Sequence, residues 1–253
     1  MTSATIWLQR WDAQQAGYLP DREARFEIML DILAELLPEK FVALDLACGP
    51  GAISQRLLAR FPQARSVAVD LDPVLLTMGQ SVLGDVEGRL RWVTANLEET
   101  TWVRALGEER FDAVLSTTAL HWIPTADLVR LYEDLGAFVR PGGVFLNGDH
   151  MAFAPHLPSF NRLAEAAAER QRVRAFVDGG QEDWDAWWSA LAREPDAAPL
   201  LAERTRRFAN HTFHDDSESP IYDVHEAALR NAGFREVGVI WQHLDNRILL
   251  AVR

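Results

Sequence analysis

A tight turn between two apolar runs carries the residues of this chain best suited to chemistry. The turn is Gly49-Pro50-Gly51, and Asp70 ends the second apolar run. A glycine turn between a strand and a helix exposes backbone N–H groups to a polar ligand. Neighbouring parallel strands of a right-handed βαβ unit end side by side, so we expect Asp70 over the same crevice. A carboxylate there can accept hydrogen bonds from both hydroxyls of a ribose.

Two kinds of nucleotide cofactor use this geometry. A nicotinamide dinucleotide requires Gly-x-Gly-x-x-Gly, whereas this turn has Ser54 at the last position. The alternative cofactor has no pyrophosphate and requires an acid just before the turn, which Asp45 supplies. The sequence therefore ranks a dehydrogenase last.

The elements that must position these residues alternate between short apolar runs and amphipathic helices. Asp21 is expected to cap the first of these helices, and Arg140 to Gly143 should break the last before the fifth strand. Such alternation is typical of a parallel sheet with helices on both faces. The predicted helices are 21–37, 53–61, 73–83 and 125–139, and the predicted strands are 41–47, 66–71, 89–97, 111–120 and 144–148.

After the fifth strand the pattern changes, and residues 152–220 read as helices. One of them places four apolar side chains on a single stripe. A helix at 222–232 and two β-rich runs, joined at Asp245-Asn246, then predict an antiparallel hairpin. The fold class is α/β, Rossmann-like, with a mostly parallel seven-stranded sheet, an antiparallel C-terminal hairpin and a helical insertion after strand 5. The apolar stripe consists of Trp184, Trp187, Trp188 and Leu191.

Composition limits the possible partners. The 253 residues carry a formal net charge of −12, which repels a phosphate backbone, so nucleic acid is not expected. The basic cluster Arg204, Arg206 and Arg207 is interleaved with acids and is expected to be a solvated helix face. No apolar run reaches the ~20 residues that span a bilayer. The single cysteine, Cys48, fits a reducing compartment, so we expect a cytoplasmic protein that does not bind a membrane.

Five segments together resemble the class I S-adenosylmethionine-dependent methyltransferases, and most closely the small-molecule branch similar to trans-aconitate methyltransferase. Two lie at the turn and at Asp70, with Ala47 where the family often has its first glycine. The third has Asn96 where the family commonly has the acid that meets the adenine amino group. The segments are LDLACGPG (44–51), VAVDLDP (67–73), ANLEE (95–99), FDAVLSTTALHWI (111–123) and VRPGGVFL (139–146).

This resemblance implies that the cofactor is S-adenosyl-L-methionine and the product S-adenosyl-L-homocysteine. In related enzymes the leading segment folds over the cofactor, where a tyrosine can cover the methionine end and an arginine can meet its carboxylate. A packed tyrosine and an exposed arginine are the alternatives. The expected cofactor-binding residues are Tyr18, Arg25, Asp45, Ala47, Cys48, Gly49, Gly51, Asp70, Leu71, Asn96, Leu97 and Ser116.

Two histidines are the catalytic candidates. His121 is the first candidate, because it follows the fourth strand at the carboxyl edge of the sheet, where open α/β sheets bind ligands; Asp149 and His150 follow the fifth strand and come second. Either can serve as a general base for a hydroxyl or amine acceptor. Otherwise His121 lines the pocket or holds the substrate. No metal site is expected, because Asp149 and His150 are adjacent on a strand and point to opposite faces.

The expected function is methyl transfer to an oxygen, nitrogen or carbon of a small metabolite. The alternatives are a non-methylating rearrangement that uses the same cofactor and a non-catalytic regulatory relative. The tryptophan stripe fits a bulky or hydrophobic acceptor, and the oligomeric state is a monomer or a homodimer. The expected division is a helical segment over the cofactor site (1–40), a cofactor-binding core (41–151 plus 221–253) and an insertion that forms the acceptor pocket (152–220).

Overall fold

A seven-stranded mixed sheet forms the centre of the protein. The computed structural model describes residues 4–107, 110–209 and 219–253. The strands are β1 (Val42–Leu46), β2 (Arg65–Asp70), β3 (Leu90–Thr94), β4 (Phe111–Thr117), β5 (Val139–His150), β6 (Glu236–His243) and β7 (Asn246–Val252).

The order of the strands is β3-β2-β1-β4-β5-β7-β6, and β7 runs opposite to the other six strands. The order reverses between β1 and β4, where ligands of open α/β sheets bind at the carboxyl ends of the strands. The predicted fold class is confirmed.

Helices cover both faces of the sheet. One face packs against α2 and α3 and the other against α5 and α9, so each face buries its own hydrophobic cluster. The helices are α1 (Ala4–Tyr18), α2 (Arg22–Leu36), α3 (Ala52–Arg60), α4 (Pro73–Leu83), α5 (Thr125–Phe138), α6 (Pro158–Arg172), α7 (Trp184–Leu191), α8 (Ala198–Arg207) and α9 (Tyr222–Asn231).

The first helices belong to different clusters. Phe26, Met29 and Leu33 of α2 pack on the sheet, whereas α1 packs on α4 and α7 through Trp7 and Trp11. Helix α1 therefore lies against the insertion that forms α6, α7 and α8. The predicted division of the chain at residues 40, 151 and 220 stays a prediction.

The predicted cap at the start of α2 is wrong. Asp21 precedes the helix, but its side chain accepts no hydrogen bond from the helix N–H groups. Its backbone, at φ −91° and ψ 15°, lacks the extended conformation that turns a capping carboxylate towards them.

The predicted break at Arg140 to Gly143 lies inside β5. Phe111 pairs with Val139 and Ala113 with Val144, so β5 has three more residues than β4 between these two pairs. Gly142 takes up the bulge with φ +81°, and its N–H donates to Arg253 O. Helix α5 does end before this segment, but the strand begins at once.

The hairpin turn lies one residue earlier than predicted. Asn246 pairs with both His243 and His150, so the two loop residues are Leu244 and Asp245. Asn246 belongs to the sheet because its side-chain oxygen also accepts a hydrogen bond from Arg25. Among the described residues, no helix is both long enough and apolar enough to cross a bilayer.

Candidate active site at the carboxyl edge of the sheet

The glycine turn joins β1 to α3 through left-handed backbone. Ala47, Gly49 and Gly51 have φ of +50°, +54° and +85°. A Cβ at Gly51 would lie 2.6 Å from the Trp92 ring, so this residue is small for packing. A Cβ at Gly49 would meet protein only at 3.8 Å, at Leu75, so the backbone here is open to a ligand. Left-handed backbone favours glycine, which explains why Ala47 is the less common residue at its position.

Asp70 contacts the turn as the sequence predicts. Its Oδ2 accepts the Gly49 N–H at 2.7 Å, and its Oδ1 accepts the Asp72 N–H at 2.8 Å. Burial raises the pKa of Asp70 to about 6. Each oxygen keeps a lone pair that can accept a ribose hydroxyl. The ends of β1 and β2 therefore form one carboxylate-lined crevice.

Asp45 supports the turn from below. The side chain is only 2% exposed, and its Oδ2 accepts from the backbone N–H and the hydroxyl of Ser54 at 3.0 and 2.7 Å. Burial raises the pKa of Asp45 to about 7, although the Ser54 hydrogen bonds act in the opposite direction. This carboxylate fixes the first turn of α3 beneath the crevice. Its predicted contact with a cofactor stays a prediction.

Of four other predicted cofactor residues, three use polar atoms for hydrogen bonds within the protein and the fourth is an apolar core residue. Cys48 N–H donates to Val69 O, and burial raises the pKa of the thiol well above its ordinary value. Ser116 Oγ donates to Leu46 O at 3.0 Å and so joins the ends of β4 and β1. Asn96 Oδ1 accepts the Glu98 N–H, and Leu97 is buried in the core. Their expected roles therefore depend on backbone atoms and on apolar contact.

Tyr18 and Arg25 lie on different elements. The Tyr18 hydroxyl accepts the Trp184 N–H at 3.0 Å, which ties α1 to α7. Arg25 is buried beside β5 and β7, where its Nη atoms donate to Gly148 O and to Asn246 Oδ1. Burial lowers the pKa of Arg25 to about 10. Arg25 is not the exposed helix residue of the alternative interpretation, and its contact with a cofactor carboxylate stays a prediction.

Helix α8 is bound to the loop that follows Asp70. Arg204 Nε donates to Asp72 Oδ2 at 2.6 Å, and Arg207 Nη1 donates to Leu71 O at 3.1 Å. The other oxygen of Asp72 accepts from the first N–H groups of α4. The expectation of a solvated face is therefore wrong for Arg204 and Arg207, because the loop offers them a buried carboxylate and a free carbonyl.

The tryptophan stripe is mostly core. Trp187 is fully buried, with its ring centroid 5.5 Å from Trp7 and 5.1 Å from Trp11. Trp188 is partly buried and stacks under Arg204, 4.1 Å from its guanidinium carbon. Trp184 is 39% exposed. The expected apolar wall is thus reduced to Trp184 and Trp188, because α1 covers the rest.

On the other side of β1, the ends of β4 and β5 bring His121 and Asp149 together. His121 Nδ1 lies 2.6 Å from Asp149 Oδ1, and the backbone N–H of His121 donates to Oδ2 at 3.1 Å. Burial alone would raise the pKa of Asp149, but His121, His150 and Arg25 hold it well below its ordinary range. Asp149 is therefore charged and fixes the imidazole in one orientation. The Nε2 atom of His121 has no hydrogen-bond partner among the described residues.

His150 has its own acid. Its Nδ1 lies 3.1 Å from Asp245 Oδ2, and its ring centroid lies 6.0 Å from that of His121. Burial lowers the pKa of His150, but Asp245 and Asp149 raise it by a larger amount, so the net shift of the pKa is upward. The structure thus brings both predicted histidines to one edge. In the described part of the chain, no group of three or more His, Cys, Asp or Glu side chains is placed to hold a metal ion.

Sequence reasoning named Asp149 beside His150 as a second candidate base but missed that Asp149 and Asp245 each hold a histidine. Asp149 lies next to His150 in the sequence, but nothing there shows that its partner is His121. Asp245 appears in the sequence only as a turn residue. The adjacency of β4, β5 and β7 could have suggested the pairs, but the direction of each side chain at a strand end could not be read from the pattern.

The crevice has the groups that the ribose of S-adenosylmethionine requires. Gly49 leaves its backbone open, and Asp70 offers carboxylate oxygens beside it. Charged acceptors of this kind bind ribose hydroxyls strongly. The residues present at the ends of β1 and β2 therefore match the cofactor.

Comparison with known proteins agrees with this geometry. Residues 43–143 match a family model described as a methyltransferase domain. The chain is 34% identical to a trans-aconitate 2-methyltransferase from Azoarcus over 53% of this chain and 48% of that protein, so the match spans about half of that relative. It is also 30% identical to the enzyme of that name from Rhodopseudomonas palustris BisB18, over 86% of this chain and 87% of the relative.

A solved structure of an O-methyltransferase family protein from Burkholderia thailandensis has the same fold. The TM-score is 0.59 at 18% identity, over 96% of this chain and 59% of that one. The fold, the glycine turn with its carboxylate and the match over nearly the whole chain agree. The chain therefore belongs to the class I S-adenosylmethionine-dependent methyltransferases.

Proposed function

We propose that the protein transfers the methyl group of S-adenosylmethionine to a carboxylate oxygen of a small organic acid. The pair of His121 and Asp149 is the observation that carries this proposal. Asp149 holds the Nδ1 side of the ring and keeps its own charge. When the ring is protonated, its Nε2–H can donate to an anionic oxygen and hold it for attack.

The relatives support an acid as the acceptor. Several are named trans-aconitate 2-methyltransferase, and trans-aconitate is a tricarboxylate. An ionised carboxylate needs no base at neutral pH, because it has already lost its proton. Positioning is then the main contribution of the protein.

When bound, the cofactor supplies a methyl group that is already electrophilic on its positive sulfur. Asp70 is expected to hold the ribose hydroxyls, and the open backbone at Gly49 admits the cofactor close to the sheet. His121 is expected to orient the acceptor oxygen. That His121 and His150 are the catalytic residues is part of this proposal.

A hydroxyl acceptor is the second candidate, and the same Nδ1 contact favours it. A neutral ring that donates Nδ1–H to Asp149 presents the Nε2 lone pair to the acceptor. His121 would then be a general base. The two candidates differ in what they require of residue 121.

Analysis of the product tests the proposal. The protein is incubated with methyl-labelled S-adenosylmethionine and a panel of small acids that includes trans-aconitate. Formation of S-adenosylhomocysteine and of a product that releases labelled methanol in mild base would indicate a methyl ester. A base-stable methylated product, or no S-adenosylhomocysteine with any acid, would contradict it.

Variants of His121 separate the two candidates. Glutamine retains an N–H donor but cannot take a proton, whereas alanine can do neither. If His121 positions a carboxylate, we expect His121→Gln to keep kcat within about tenfold of the wild type. If His121 is a base, both variants should lose about 100-fold or more.

We further propose that residues 152–220 shape the acceptor pocket and that the protein acts in the cytoplasm. The net charge of −12 and the single cysteine support a small-molecule acceptor and a reducing compartment. Size-exclusion chromatography with light scattering distinguishes the two expected states, a monomer and a homodimer.

A further inference from the structure

Arg247 is a buried cation without a matching acid. It lies on β7 and is 5% exposed. Its Nε has no hydrogen-bond partner, and no ion pair or hydrogen bond joins its guanidinium to any other described residue. A guanidinium has five N–H donors, and a buried one is normally paired. The donors of Arg247 are therefore available to a ligand.

Two aromatic rings hold this guanidinium. Its carbon lies 4.8 Å from the ring centroid of Phe153 and 4.9 Å from that of Tyr222. The rings are fixed to each other, since Ala152 and Ile221 form a β-bridge and Tyr222 N–H donates to Ala152 O at 3.2 Å. Contact with aromatic faces orients an arginine but leaves its edge free to donate two parallel hydrogen bonds.

The position of Arg247 places it on the acceptor side. It pairs with Asp149 across β5 and β7, and paired residues of antiparallel strands project to the same face. Asp149 in turn holds His121. Ser219, three residues before Tyr222, donates to His121 O at 3.2 Å. One continuous wall thus runs from His121 to Arg247, away from the glycine turn.

The nearby acids are mostly engaged elsewhere. Asp149 contacts His121, and Asp245 contacts His150. Asp223 is exposed on the first turn of α9 and makes no ion pair with Arg247. Asp245 and Asp223 therefore act on Arg247 only through space, and neither occupies its hydrogen-bond donors.

We propose that Arg247 binds a carboxylate of the acceptor that is remote from the atom receiving the methyl group. This inference rests on the proposed function and names its substrate class more closely: the acceptor carries at least two carboxylates. One lies at His121 and reacts, and the other lies between the planes of Phe153 and Tyr222, at the edge of the guanidinium. Arg247 is then a specificity-determining residue.

Calorimetry on the protein saturated with S-adenosylhomocysteine tests this inference. The probes are succinate, glutarate and tricarballylate, each compared with butyrate or valerate as the monocarboxylate of similar length. We expect the wild type to bind at least one polycarboxylate about tenfold or more tightly than the monocarboxylates, as for a charge-assisted hydrogen bond. Arg247→Gln should lose this preference, and Arg247→Lys should keep part of it.

The matched control is Arg60→Gln, which also removes an arginine stacked on an aromatic ring, Phe61, but at the end of α3. It should keep the full preference. Because the readout is a ratio of two ligands on one variant, partial unfolding does not mimic the result. Equal affinity of the wild type for both ligand classes, or an unchanged preference in Arg247→Gln, would overturn the inference.

The two experiments distinguish failure of the proposed function from failure of the proposed anion site at Arg247. If no methyl ester forms but the preference depends on Arg247, the proposed function is wrong and the anion site stands. If esters form and the preference does not depend on Arg247, the reverse holds.

Discussion

At the end of β2, Asp70 is held by the backbone N–H groups of Gly49, 21 residues earlier, and of Asp72, both in or next to the β1–α3–β2 unit. At the ends of β4 and β5, Asp149 is held by the ring and backbone of His121, 28 residues earlier, and it faces Arg247, almost 100 residues later. The proposed cofactor side is thus built from backbone groups of one βαβ unit, and the proposed acceptor side from side chains on strands further apart in the chain. We therefore expect substitutions on the acceptor side to alter substrate preference without disturbing the glycine turn.

Removing Asp70 should give the largest effect and break the cofactor side alone. We expect Asp70→Ala to weaken S-adenosylmethionine binding by about two to four orders of magnitude, since it removes two hydrogen bonds to a charged acceptor. Titration calorimetry measures the change in Kd, with circular dichroism to check folding. Unchanged affinity would contradict the assignment of the ribose site to this crevice.

Removing the charge of Asp149 should break the acceptor side alone. In Asp149→Asn the ring of His121 loses its charged partner, so we expect kcat to fall by about tenfold if His121 positions a carboxylate and by about 100-fold if it is a base, while the Kd of the cofactor stays within about threefold. Asp134→Asn, which alters a carboxylate bonded to Trp102 on another part of the molecule, is the matched control. A parallel loss of cofactor affinity would show that the two sides are not separate.

The pH dependence of cofactor binding tests whether Asp70 acts as an ionised carboxylate. Burial raises the pKa of Asp70 to about 6, and only the ionised carboxylate offers all of its lone pairs to the ribose. Binding then requires loss of a proton below that pH, so Kd should rise by up to about tenfold per pH unit below pH 6 and be flat above it. Asp70→Asn should bind weakly and show no such slope. A flat profile in the wild type would argue against ionised Asp70 as the ribose acceptor.

The smallest effect is expected within the turn. Ala47 has φ +50°, a conformation that costs an L-residue roughly 1–2 kcal/mol, while glycine loses about 0.5–1 kcal/mol more entropy on folding. We expect Ala47→Gly to raise the free energy of unfolding by up to about 1 kcal/mol in chemical denaturation. Ala43→Gly in the buried part of β1 should lower it instead. Equal destabilisation by both changes would rule out strain at Ala47.

The same contrast explains what the sequence could predict. The contact of Asp70 with the turn follows from the right-handed βαβ connection, which allows few arrangements. Strand adjacency is equally constrained, so His121 and His150 could be placed at one edge. The direction of Asp45 could not be predicted, because a carboxylate at a strand end can turn to the crevice or to Ser54, and tertiary contacts decide.

Arg247 could not be predicted either. The position of its guanidinium depends on the rings of Phe153 and Tyr222, which belong to two segments that meet at the Ala152–Ile221 bridge. The hairpin turn lies one residue from its predicted position for a similar reason, since Asn246 of β7 accepts a hydrogen bond from Arg25 of α2, which is distant in the sequence.

Asp72 connects helix α8 to the loop that carries Asp70. If α8 moves away from this loop, Arg204 has to leave the Asp72 carboxylate. Asp72 Oδ2 then loses its partner, on the same loop whose backbone N–H holds Asp70. If residues 152–220 shape the acceptor pocket as proposed, we expect an opening of that pocket to weaken cofactor binding as well. Spent cofactor and methylated product are expected to depart in a linked sequence.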